Sequence, residues 1–391
     1  MGQNNVLKVA LVLYTSGLDY DDRIRKEILS IQRLYPNISF KIFAVDPKNR
    51  EESGVTSYGV PYRIPFLKTR EKYTSASHTL AKAWDFYNTV KKEIKEYDVL
   101  WCADEQVFLF ILLSLWKPVI WDLHELPLLF LRKPYLRWLY KQLERKCSAI
   151  IHANQQRLNY LNEQGMVSKI SKHFVLRNYP EFNEIDSEID DTYRQFEQWK
   201  GDDKCVYLQG LDGVGRADIE TISAVLSVPS LKAVVVGSIN DKRMKVIEKR
   251  YGKEMMVDRL FFTGRIKQLK TPQYIRKCIM SLVFYTNGNM NNWYCEPNRL
   301  FQNICNGNPV VVGNNPPMKE LIDNYHIGVC ADTDGKDQEE IVSAIHQLLE
   351  NYDRYKSNVV SMQGAFLWGS QVDILRSIID QVTREYHVYS S

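Results

Sequence analysis

The sequence predicts an α/β protein built from two doubly wound domains. Short buried strand patterns alternate with helical patterns along the whole chain, which favours parallel sheets covered by helices on both faces. An acidic, weakly apolar stretch at residues 181–203 interrupts the alternation, and the length of 391 residues exceeds what one hydrophobic core usually supports. We therefore expect two domains facing each other across a cleft, with ligands at the carboxyl ends of both sheets.

Each half of the chain supplies its own set of strands and helices. In the first half the predicted strands are Val6–Tyr14, Phe40–Val45, Val99–Ala103, Val119–Asp122, Ala149–Ala153 and Phe174–Leu176, and the clearest helices are Asp22–Leu34 and Ser77–Lys95. In the second half the strands are Lys204–Gln209, Leu231–Val236, Leu260–Thr263, Ile279–Tyr285, Pro309–Val312 and Ile327–Cys330. The helices there are Ile219–Leu226, Lys242–Tyr251, Asn298–Asn306, Met318–Asp323 and Glu339–Leu349.

Composition and charge exclude several classes of protein. The hydrophobic fraction of 45% and the charged fraction of 25% are typical of a soluble globular enzyme. Residues 1–185 carry 27 Lys and Arg against 20 Asp and Glu, a net +7, whereas the rest of the chain is at −3. That excess is mild, and the sequence has no RNA-binding or helix-turn-helix signature, so we expect no nucleic-acid partner.

The cysteines and the apolar runs predict a cytoplasmic protein without a metal centre. The seven cysteines are scattered singly, with no C-x-x-C pair and no histidine at ligand spacing, which favours a reducing compartment over structural zinc. The N-terminus lacks the pattern of a cleaved secretory signal. The longest apolar run, Val107–Trp116, is ten residues long and too short to span a membrane.

The segment from Trp293 to Gly313 predicts a strand end, an anion-binding helix start and another strand. Pro297 suits the first helical position, and Asn298 and Arg299 would fill the first turn. The free amides and the positive dipole end of such a helix favour a phosphate, to which Arg299 adds a charged fork if its side chain turns inward. Alternatively, this is an ordinary helix between two strands.

Two loops of the first half carry candidate functional groups at strand ends. In residues 15–27, Gly17 frees the backbone and Asp22 can cap the helix that follows; a capped, solvated helix start is the simpler alternative. In residues 121–127, Asp122, His124 and Glu125 bring three titratable groups together, which suits proton transfer or contact with a hydroxylated substrate. The alternative for His124 is a core histidine hydrogen-bonded to a carbonyl.

A third loop, residues 209–218, is rich in glycine. Gly210, Gly213 and Gly215 allow the main chain to approach a ligand between a strand and a helix, and Arg216 lies at the helix entrance. The loop is neither a G-x-G-x-x-G fingerprint nor a Walker loop, so it is a weak signal by itself.

Taken together, these motifs resemble the GT-B glycosyltransferases, most closely the bacterial family 4 and family 4-like enzymes that build surface polysaccharides. The matching segments, which extend over nearly the whole chain, are DYDDRIRKE, WDLHEL, VLRNYPE, QG followed by Arg216, VVVGSI, FFTGRI and EPNRLFQNICNGNPVV. The resemblance implies domains at residues 1–182 and 203–365, and a closing helical segment at 366–391 that crosses back onto the first domain.

The same resemblance implies transfer of a sugar from a nucleotide diphosphate donor to an acceptor, without metal or other cofactor. Arg216 would contact the donor diphosphate, His124 would lie near the donor sugar, and Asn178 would mark the hinge between the domains. The implied catalytic residues are His124, Arg216 and Glu125. The implied donor-binding residues are Gly17, Gly210, Gly237, Arg265, Tyr285, Glu296, Asn298, Arg299, Leu300 and Gln302.

This sequence departs from the family pattern at two positions. Gln302 replaces the usual glutamate that accepts hydrogen bonds from the ribose, and no lysine follows Arg216 closely. If the relation to family 4 holds fully, the anomeric configuration is retained without a protein nucleophile. Otherwise Glu125 or Asp122 could serve as base for an inverting attack.

The acceptor side carries aromatic residues among basic ones. Residues Leu128–Lys141 interleave them as an interfacial amphipathic helix would, and residues 66–73 add a second such patch. We expect a glycan or lipid-linked glycan acceptor and contact with the anionic inner face of the plasma membrane. The alternative is a helix packed into its own domain, with basic side chains extending outward.

Two other functions stay open at this level. A nucleotide-sugar epimerase or a phosphorylase can use the same fold, although we place neither the acid and base carboxylates of the first nor the cofactor lysine of the second. A non-catalytic GT-B subunit that binds a partner transferase would explain Gln302 and the absent lysine. A hexosyltransferase-type glycosyltransferase is the preferred prediction.

Overall fold

The computed structural model describes residues 6–390 except Ser16, Tyr20, 74–77, 115–116, 182–188 and Val214, and of residues 387–390 it describes the backbone alone. The chain divides into two compact units. We name Met1–Asn178 with Gln371–Ser391 the N-terminal unit, and Tyr179–Ser370 the C-terminal unit.

The N-terminal unit contains an eight-stranded sheet. Its strands are β1 (Leu7–Val12), β2 (Ile38–Phe43), β3 (Glu52–Val55), β4 (Pro61–Ile64), β5 (Val99–Ala103), β6 (Val119–Leu123), β7 (Ala149–His152) and β8 (His173–Val175). Their order across the sheet is β3-β4-β2-β1-β5-β6-β7-β8, and every pair is parallel except β3 with β4. All side chains of β5 and β6 are buried, as expected for strands covered on both faces.

In the described part of residues 1–178, the helices that accompany this sheet are α1 (Asp22–Leu34), α2 (Lys68–Lys72), α3 (Thr79–Ile94), α4 (Phe108–Leu113), α5 (Leu128–Leu131), α6 (Pro134–Lys146) and α7 (Gln155–Glu163). The predicted helix Ser77–Lys95 corresponds to α3, although Ser77 itself lies outside the described residues. Among the helices described, none has both the length and the apolar character required to span a bilayer.

Helix α1 has the predicted bounds, but its cap is one residue away from the predicted one. The side chain of Asp21, not Asp22, accepts a hydrogen bond from the Ile24 amide at 3.2 Å. Asp22 is the first helical residue and pairs with Arg25 at 2.6 Å and Lys26 at 2.8 Å. Both acids lie where the helix dipole favours negative charge.

The predicted amphipathic helix over Leu128–Lys141 is wrong as a single element. Helix α5 ends at Leu131, and α6 starts with Pro134 in its first turn, a position that proline tolerates because the amide there needs no partner. Tyr140 packs in the core of the unit, whereas Tyr135 and Trp138 remain 61% and 63% exposed. The two proposed roles of this segment, core packing and an aromatic surface, therefore fall on different faces of α6.

The C-terminal unit contains a six-stranded, wholly parallel sheet. Its strands are β9 (Lys204–Gln209), β10 (Leu231–Val236), β11 (Leu260–Gly264), β12 (Met280–Val283), β13 (Val310–Val312) and β14 (Gly328–Cys330). The order across the sheet is β11-β10-β9-β12-β13-β14. This is the strand order of a doubly wound fold. The first three strands are added toward one edge of the sheet, and the next three are added toward the other edge.

Ten helices belong to this unit: α8 (Asp191–Lys200), α9 (Asp218–Leu226), α10 (Asp241–Tyr251), α11 (Lys253–Arg259), α12 (Thr271–Ile275), α13 (Met290–Trp293), α14 (Asn298–Cys305), α15 (Pro316–Tyr325), α16 (Gln338–Glu350) and α17 (Tyr352–Met362). Helix α8 occupies the acidic stretch between the predicted domains and buries Phe196 completely. Pro297 precedes α14 with extended backbone, so its predicted place inside the helix is wrong by one residue.

The C-terminal helix α18 (Val372–Ser390) belongs to the N-terminal unit. Its apolar face buries Leu375, Ile378 and Val382. The carboxylate of Asp380 accepts a hydrogen bond from the Tyr35 hydroxyl at 2.6 Å. The end of the chain thus completes the N-terminal unit, which holds β1 through β8.

Candidate functional site

Topology identifies where a ligand can enter each sheet. In the N-terminal unit β1 pairs in parallel with β2 on one side and with β5 on the other. The order in which strands are added to the sheet therefore reverses between β1 and β5. In the C-terminal unit the reversal lies between β9 and β12. Loops at the carboxyl ends of such strand pairs part in opposite directions and leave a crevice, which is the usual ligand site of doubly wound folds.

In the N-terminal unit, a buried chain of charges joins α1 to the end of β6. The Arg23 guanidinium donates from Nη2 to Asp122 Oδ1 at 2.9 Å and from Nη1 to the Leu176 carbonyl at 2.9 Å. The second oxygen of Asp122 lies 3.1 Å from His124 Nε2. Asp122 is completely buried, whereas the His124 side chain keeps 22% of its surface exposed. The carboxylate is therefore enclosed and the imidazole faces outward.

Asp104 and Arg157 hold the His124 backbone in place. Asp104 follows β5 directly, and its carboxylate accepts a hydrogen bond from the His124 amide at 3.1 Å. The second Asp104 oxygen lies 3.7 Å from His124 Nδ1. Arg157 donates to the His124 carbonyl. Both the backbone and the ring of His124 are therefore held by neighbouring side chains. A core histidine that only bonds to a carbonyl would not need these contacts.

These contacts fix the charges of the Asp122–His124 pair. Burial opposes the charged imidazole, but Asp122 and Asp104 outweigh it and raise the pKa of His124 to about 10. Burial likewise opposes the Asp122 carboxylate, yet Arg23 and His124 hold its pKa well below its usual range. At neutral pH the pair is an imidazolium beside a carboxylate, so His124 can donate hydrogen bonds but has no free base function.

Glu27 is the second carboxyl group beside Arg23, and its environment is different. It is fully buried, lies 2.9 Å from Arg23 Nε, and neither of its oxygens has a hydrogen-bond partner among the described residues. Burial and the nearby Asp122 charge raise the pKa of Glu27 to about 8, against the opposing effects of Arg23 and His124. Because Asp122 makes the hydrogen bonds, the proton shared by the two acids belongs on Glu27.

Glu27→Gln should therefore change how stability depends on pH. The folded chain keeps a proton on Glu27 that the unfolded chain has lost above its ordinary pKa of 4.5, so wild-type stability falls as pH rises from 4.5 to about 8. The neutral glutamine removes this loss. We expect equal free energies of unfolding near pH 4.5 and an advantage of about 2 kcal/mol or more for the variant at pH 8, measured by urea denaturation.

An equal loss of stability at both pH values would contradict this assignment, because it would mean that an ionised Glu27 pairs with Arg23. Glu93→Gln is a matched control. Glu93 is a half-exposed partner of Lys41 and Arg63, and these two cations lower its pKa although its partial burial opposes them. Its substitution should cost stability at pH 8 and lose its effect under acid conditions.

The other candidate residues of the N-terminal unit lie near this chain of charges in sequence. Glu125 follows His124 in the β6–α5 loop and is exposed. Gly17 lies in the β1–α1 loop, its amide 3.4 Å from Thr15 Oγ1. Asn178, the predicted hinge residue, accepts a hydrogen bond from the buried Lys26 ammonium at 2.8 Å. Lys26 of α1 is thus bonded to Asn178, the last residue of the first segment of the N-terminal unit.

In the C-terminal unit, Arg299 holds the diverging ends of β9 and β12 together. The first two residues of β12 pair with the middle of β9, Met280 with Val206 and Ser281 with Tyr207, and the strands are not paired beyond that point. Arg299 is buried; it donates from Nη1 to the Gln209 carbonyl and from Nη2 to the Phe284 carbonyl at 3.1 Å. The sequence predicted a fork aimed at a phosphate. Each Nη gives one of its two N–H groups to a strand-end carbonyl, so a phosphate contact would use the remaining N–H groups and stays a prediction.

Arg216 lies on the other side of the same crevice. It donates from Nη1 to the Gly210 carbonyl, and its guanidinium lies 5.5 Å from the ring centre of Tyr285. The Arg299 guanidinium lies 4.9 Å from the same ring. Tyr285 is 7% exposed, so two cations flank one largely buried ring. The structure therefore brings Gly210, Arg216, Tyr285 and Arg299 together.

The charge in this crevice is uncompensated. Burial and the Arg216 charge lower the pKa of Arg299, against the effect of Tyr285. No ion pair among the described residues includes Arg216 or Arg299. Two like charges held this close without a carboxylate favour an anion between or beside them.

Helix α14 contributes its first turn to the same edge of the sheet. Asn298 is exposed at the start, whereas Leu300 is fully buried and its amide bonds to the Pro297 carbonyl at 2.9 Å. The Leu300 side chain belongs to the core and only its backbone faces this end. Gln302 is 6% exposed, and its Oε1 has no partner among the described residues. Glu296, two residues before α14, is half-buried.

The remaining donor candidates sit at the ends of β10 and β11. Gly237 has φ of +105° and its amide bonds to the Gly264 carbonyl at 2.9 Å. A Cβ added to Gly237 would lie 3.6 Å from the Gly210 amide nitrogen, so the backbones of the two glycines lie close together. Arg265 follows β11 and is exposed. Within the described part of the chain, no three His, Cys, Asp or Glu side chains are grouped as a metal ion would require.

Sequence analysis missed Asp104, Glu27 and Arg157. Asp104 had a usable signal, because it directly follows the predicted strand Val99–Ala103. Glu27 belongs to the predicted helix Asp22–Leu34, in which no role was assigned to it. Arg157 gave no signal, since its contact with the His124 carbonyl joins residues 33 positions apart.

Comparisons with known proteins agree with this architecture. Residues 218–359 match the family model described as glycosyl transferases group 1. A sequence search of the curated proteins found no match.

Similar solved structures include sucrose-phosphate synthase from Thermosynechococcus elongatus (14% identity, TM-score 0.71) and Anabaena HepE in complex with UDP (14%, 0.69). Each comparison covers 97% of this chain and 100% of the other. Trehalose 6-phosphate synthase from Burkholderia multivorans, at 10% identity and TM-score 0.70, covers 98% and 100%.

These findings confirm the predicted fold class and enzyme class. The chain has the GT-B fold, carries a glycosyl transferases group 1 domain at residues 218–359, and is a glycosyltransferase.

Proposed function

We propose that this enzyme moves a sugar from a nucleotide diphosphate sugar to a glycan or lipid-linked glycan in surface polysaccharide biosynthesis. The observation that carries the donor assignment is the crevice between β9 and β12, where Arg216 and Arg299 flank Tyr285 without a carboxylate partner. The Anabaena HepE structures, of similar fold, are complexes with UDP and with UDP-glucose. A uridine nucleotide is therefore the first donor to test.

Arg216 is the proposed ligand of the donor diphosphate. Its guanidinium lies at the crevice with one backbone acceptor, the Gly210 carbonyl, and has further N–H groups for a phosphate. The exposed first turn of α14 at Asn298 supplies amides and a positive dipole end. The Arg299 charge adds to the positive electrostatic potential of the crevice, while its Nη groups donate hydrogen bonds to the Gln209 and Phe284 carbonyls. Fixed positive groups of this kind stabilise a departing diphosphate, so the proposed reaction uses no metal or other cofactor.

His124 is the proposed contact of the N-terminal unit with the donor sugar. As an imidazolium it donates hydrogen bonds and adds positive charge where negative charge develops on the leaving group. Asp122, one of the two possible bases for an inverting attack, is enclosed by Arg23 and His124 and cannot accept a proton at neutral pH. Glu125 stays the only base candidate of that loop. We propose retention of configuration without a protein base or nucleophile, as the resemblance to family 4 implies.

Gln302 is proposed to bind the ribose less strongly than the usual glutamate does. Its buried Oε1 has no partner among the described residues and can accept from a hydroxyl, but without the charge-assisted part of the bond. We expect donor affinity lower by roughly 1 kcal/mol for that reason. This residue also supports the alternative of a non-catalytic subunit, in which the crevice would bind no nucleotide.

Thermal stabilisation by nucleotides tests the donor assignment. UDP, GDP and their glucose conjugates are added to the full chain, with UMP and GMP as controls that lack the second phosphate. Under this proposal a diphosphate raises the melting temperature and its monophosphate raises it less. If none of the nucleotides stabilises the protein, the non-catalytic subunit becomes the better interpretation. If the stabilised protein releases free nucleotide without any acceptor, hydrolysis is favoured over transfer, and if it changes the nucleotide sugar without releasing nucleotide, an epimerase is favoured.

We further propose that α6 brings the N-terminal unit to the anionic inner face of the plasma membrane. Tyr135 and Trp138 are exposed on this helix, with Lys133 before it and Lys141 one turn further on. Exposed aromatic rings among basic side chains suit the headgroup region of an anionic bilayer. Such a position would make the enzyme cytoplasmic and peripheral.

Flotation with vesicles of phosphatidylcholine and phosphatidylserine at low salt tests this surface. The wild type should float and the variant with Tyr135→Ser and Trp138→Ser should not. Val257→Ser, at a residue of the C-terminal unit that is 66% exposed, is the matched control and should float as the wild type does. Absence of wild-type binding at low salt would remove the membrane proposal and leave the donor assignment untouched.

A further inference from the structure

The loop between β9 and α9 contains three glycines, and only two of them are required by their backbone conformation. Gly210 has φ of +62° and Gly215 has φ of +74°, values that L side chains rarely adopt. Gly213 has no positive φ. The backbone conformation at this position would accept alanine, so the reason for glycine must lie in the space around it.

That space is occupied by Arg216. A Cβ built on Gly213 would lie 2.7 Å from Arg216 Cδ and 2.8 Å from Cζ, and still closer to Nε. The three nearest atoms all belong to this one side chain and none to the backbone. The arginine stem and guanidinium therefore lie flat against the Gly213 α-carbon.

Two other contacts complete the placement of the guanidinium. Gly210 accepts the hydrogen bond from Nη1, and a Cβ at Gly210 would lie 2.7 Å from that same nitrogen. Tyr285 presents its ring at 5.5 Å on another side. The Arg216 side chain thus contacts Gly210, Gly213 and Tyr285, and its position depends on the missing side chain at Gly213.

We propose that Gly213 is a positioning residue, which leaves room for Arg216 to lie against the loop with its guanidinium at the donor diphosphate. This inference rests on the proposed function, because it assigns a purpose to the Arg216 placement. A ligand approaching the Gly213 backbone, which the sequence suggested, is not needed to explain the glycine.

Gly213→Ala is expected to fold normally. The Cβ meets only the flexible arginine side chain, which can move away without disturbing the main chain. The displaced guanidinium should then lose its charge-assisted contact with the diphosphate. We expect the dissociation constant for UDP to rise about tenfold, and about tenfold or more in Arg216→Ala.

Isothermal titration with UDP across a double-mutant cycle tests the coupling. In the Arg216→Ala background, Gly213→Ala should change the UDP affinity less than twofold, because no side chain is left to position. Gly288→Ala is the matched control. Its Cβ would make only an ordinary 3.9 Å contact with Thr286 Oγ1, so UDP should bind as it does to the wild type.

The outcomes separate this inference from the proposed function. If Arg216→Ala binds UDP as tightly as the wild type, the donor assignment itself fails and the inference with it. If Arg216→Ala weakens binding and Gly213→Ala does not, only the inference is overturned. Equal losses from Gly213→Ala in both backgrounds would also overturn it, since they would show that the alanine acts on the loop rather than on Arg216.

Discussion

Arg216→Ala is expected to lower turnover about a hundredfold or more, which corresponds to roughly 3 kcal/mol of lost transition-state stabilisation. Cleavage of the bond between the sugar and the diphosphate leaves negative charge on the departing phosphate. Arg216 donates to one backbone carbonyl in the β9–β12 crevice, whereas Arg299 donates to two, so Arg216 keeps more N–H donors for that charge. Measurement of nucleotide release with saturating acceptor gives kcat and KM separately.

Arg243→Ala provides the control for this prediction. Arg243 belongs to the same unit but pairs with the Asp218 carboxylate at 2.7 Å, so its removal deletes a cation that is already compensated. Turnover should change less than about threefold, since a partly exposed ion pair contributes little. Near-normal turnover in Arg216→Ala would refute the assignment of the diphosphate site, provided that the variant melts at the wild-type temperature.

His124→Ala should also lower turnover about a hundredfold, through loss of a charged hydrogen-bond donor. The expected pH dependence is more specific than the magnitude. Because Asp122 and Asp104 outweigh burial and raise the pKa of His124 to about 10, the imidazolium persists across the neutral range and is lost only as pH rises through 10. The wild-type pH–rate profile should therefore show no step from this histidine near pH 6.5.

Asp104→Asn tests the charge of the His124 imidazolium without changing the His124 side chain itself. The asparagine still accepts from the His124 amide, but it removes one of the two carboxylates that favour the imidazolium. The alkaline fall of activity should move to lower pH. A wild-type profile with a step near pH 6.5, abolished in His124→Ala, would contradict the assignment of a permanently charged imidazole.

Much of the fold could be predicted because the determining pattern is local. The bounds of α1 followed from regularly spaced apolar residues, of which Ile24, Ile28 and Ile31 are buried. The hairpin of β3 and β4 could not be predicted in this way. All four residues of β3 are exposed, so no alternation of apolar and polar residues marks it.

The candidate site was predicted in part, and the missed part is non-local. The sequence indicated Asp122, His124 and Arg216 because Asp122 ends a predicted buried strand and the other two lie in loops that follow predicted strands. It could not indicate that Arg23 and Asp122 form an ion pair, since 99 positions separate them and only the packed sheet brings them together. The same limit explains Arg299, whose partners are Gln209 at the end of β9 and Phe284 directly after β12.

The Arg299 bridge has a consequence for how substitutions in this enzyme are interpreted. Parallel strands that separate to admit a substrate leave main-chain oxygens without amide partners, and a buried unpaired carbonyl is costly. One guanidinium supplies both missing donors, so the opening for the nucleotide and the integrity of the sheet depend on a single side chain. Loss of activity in an Arg299 variant would thus first indicate a disrupted sheet. It would indicate a role in catalysis only after the variant had been shown to fold.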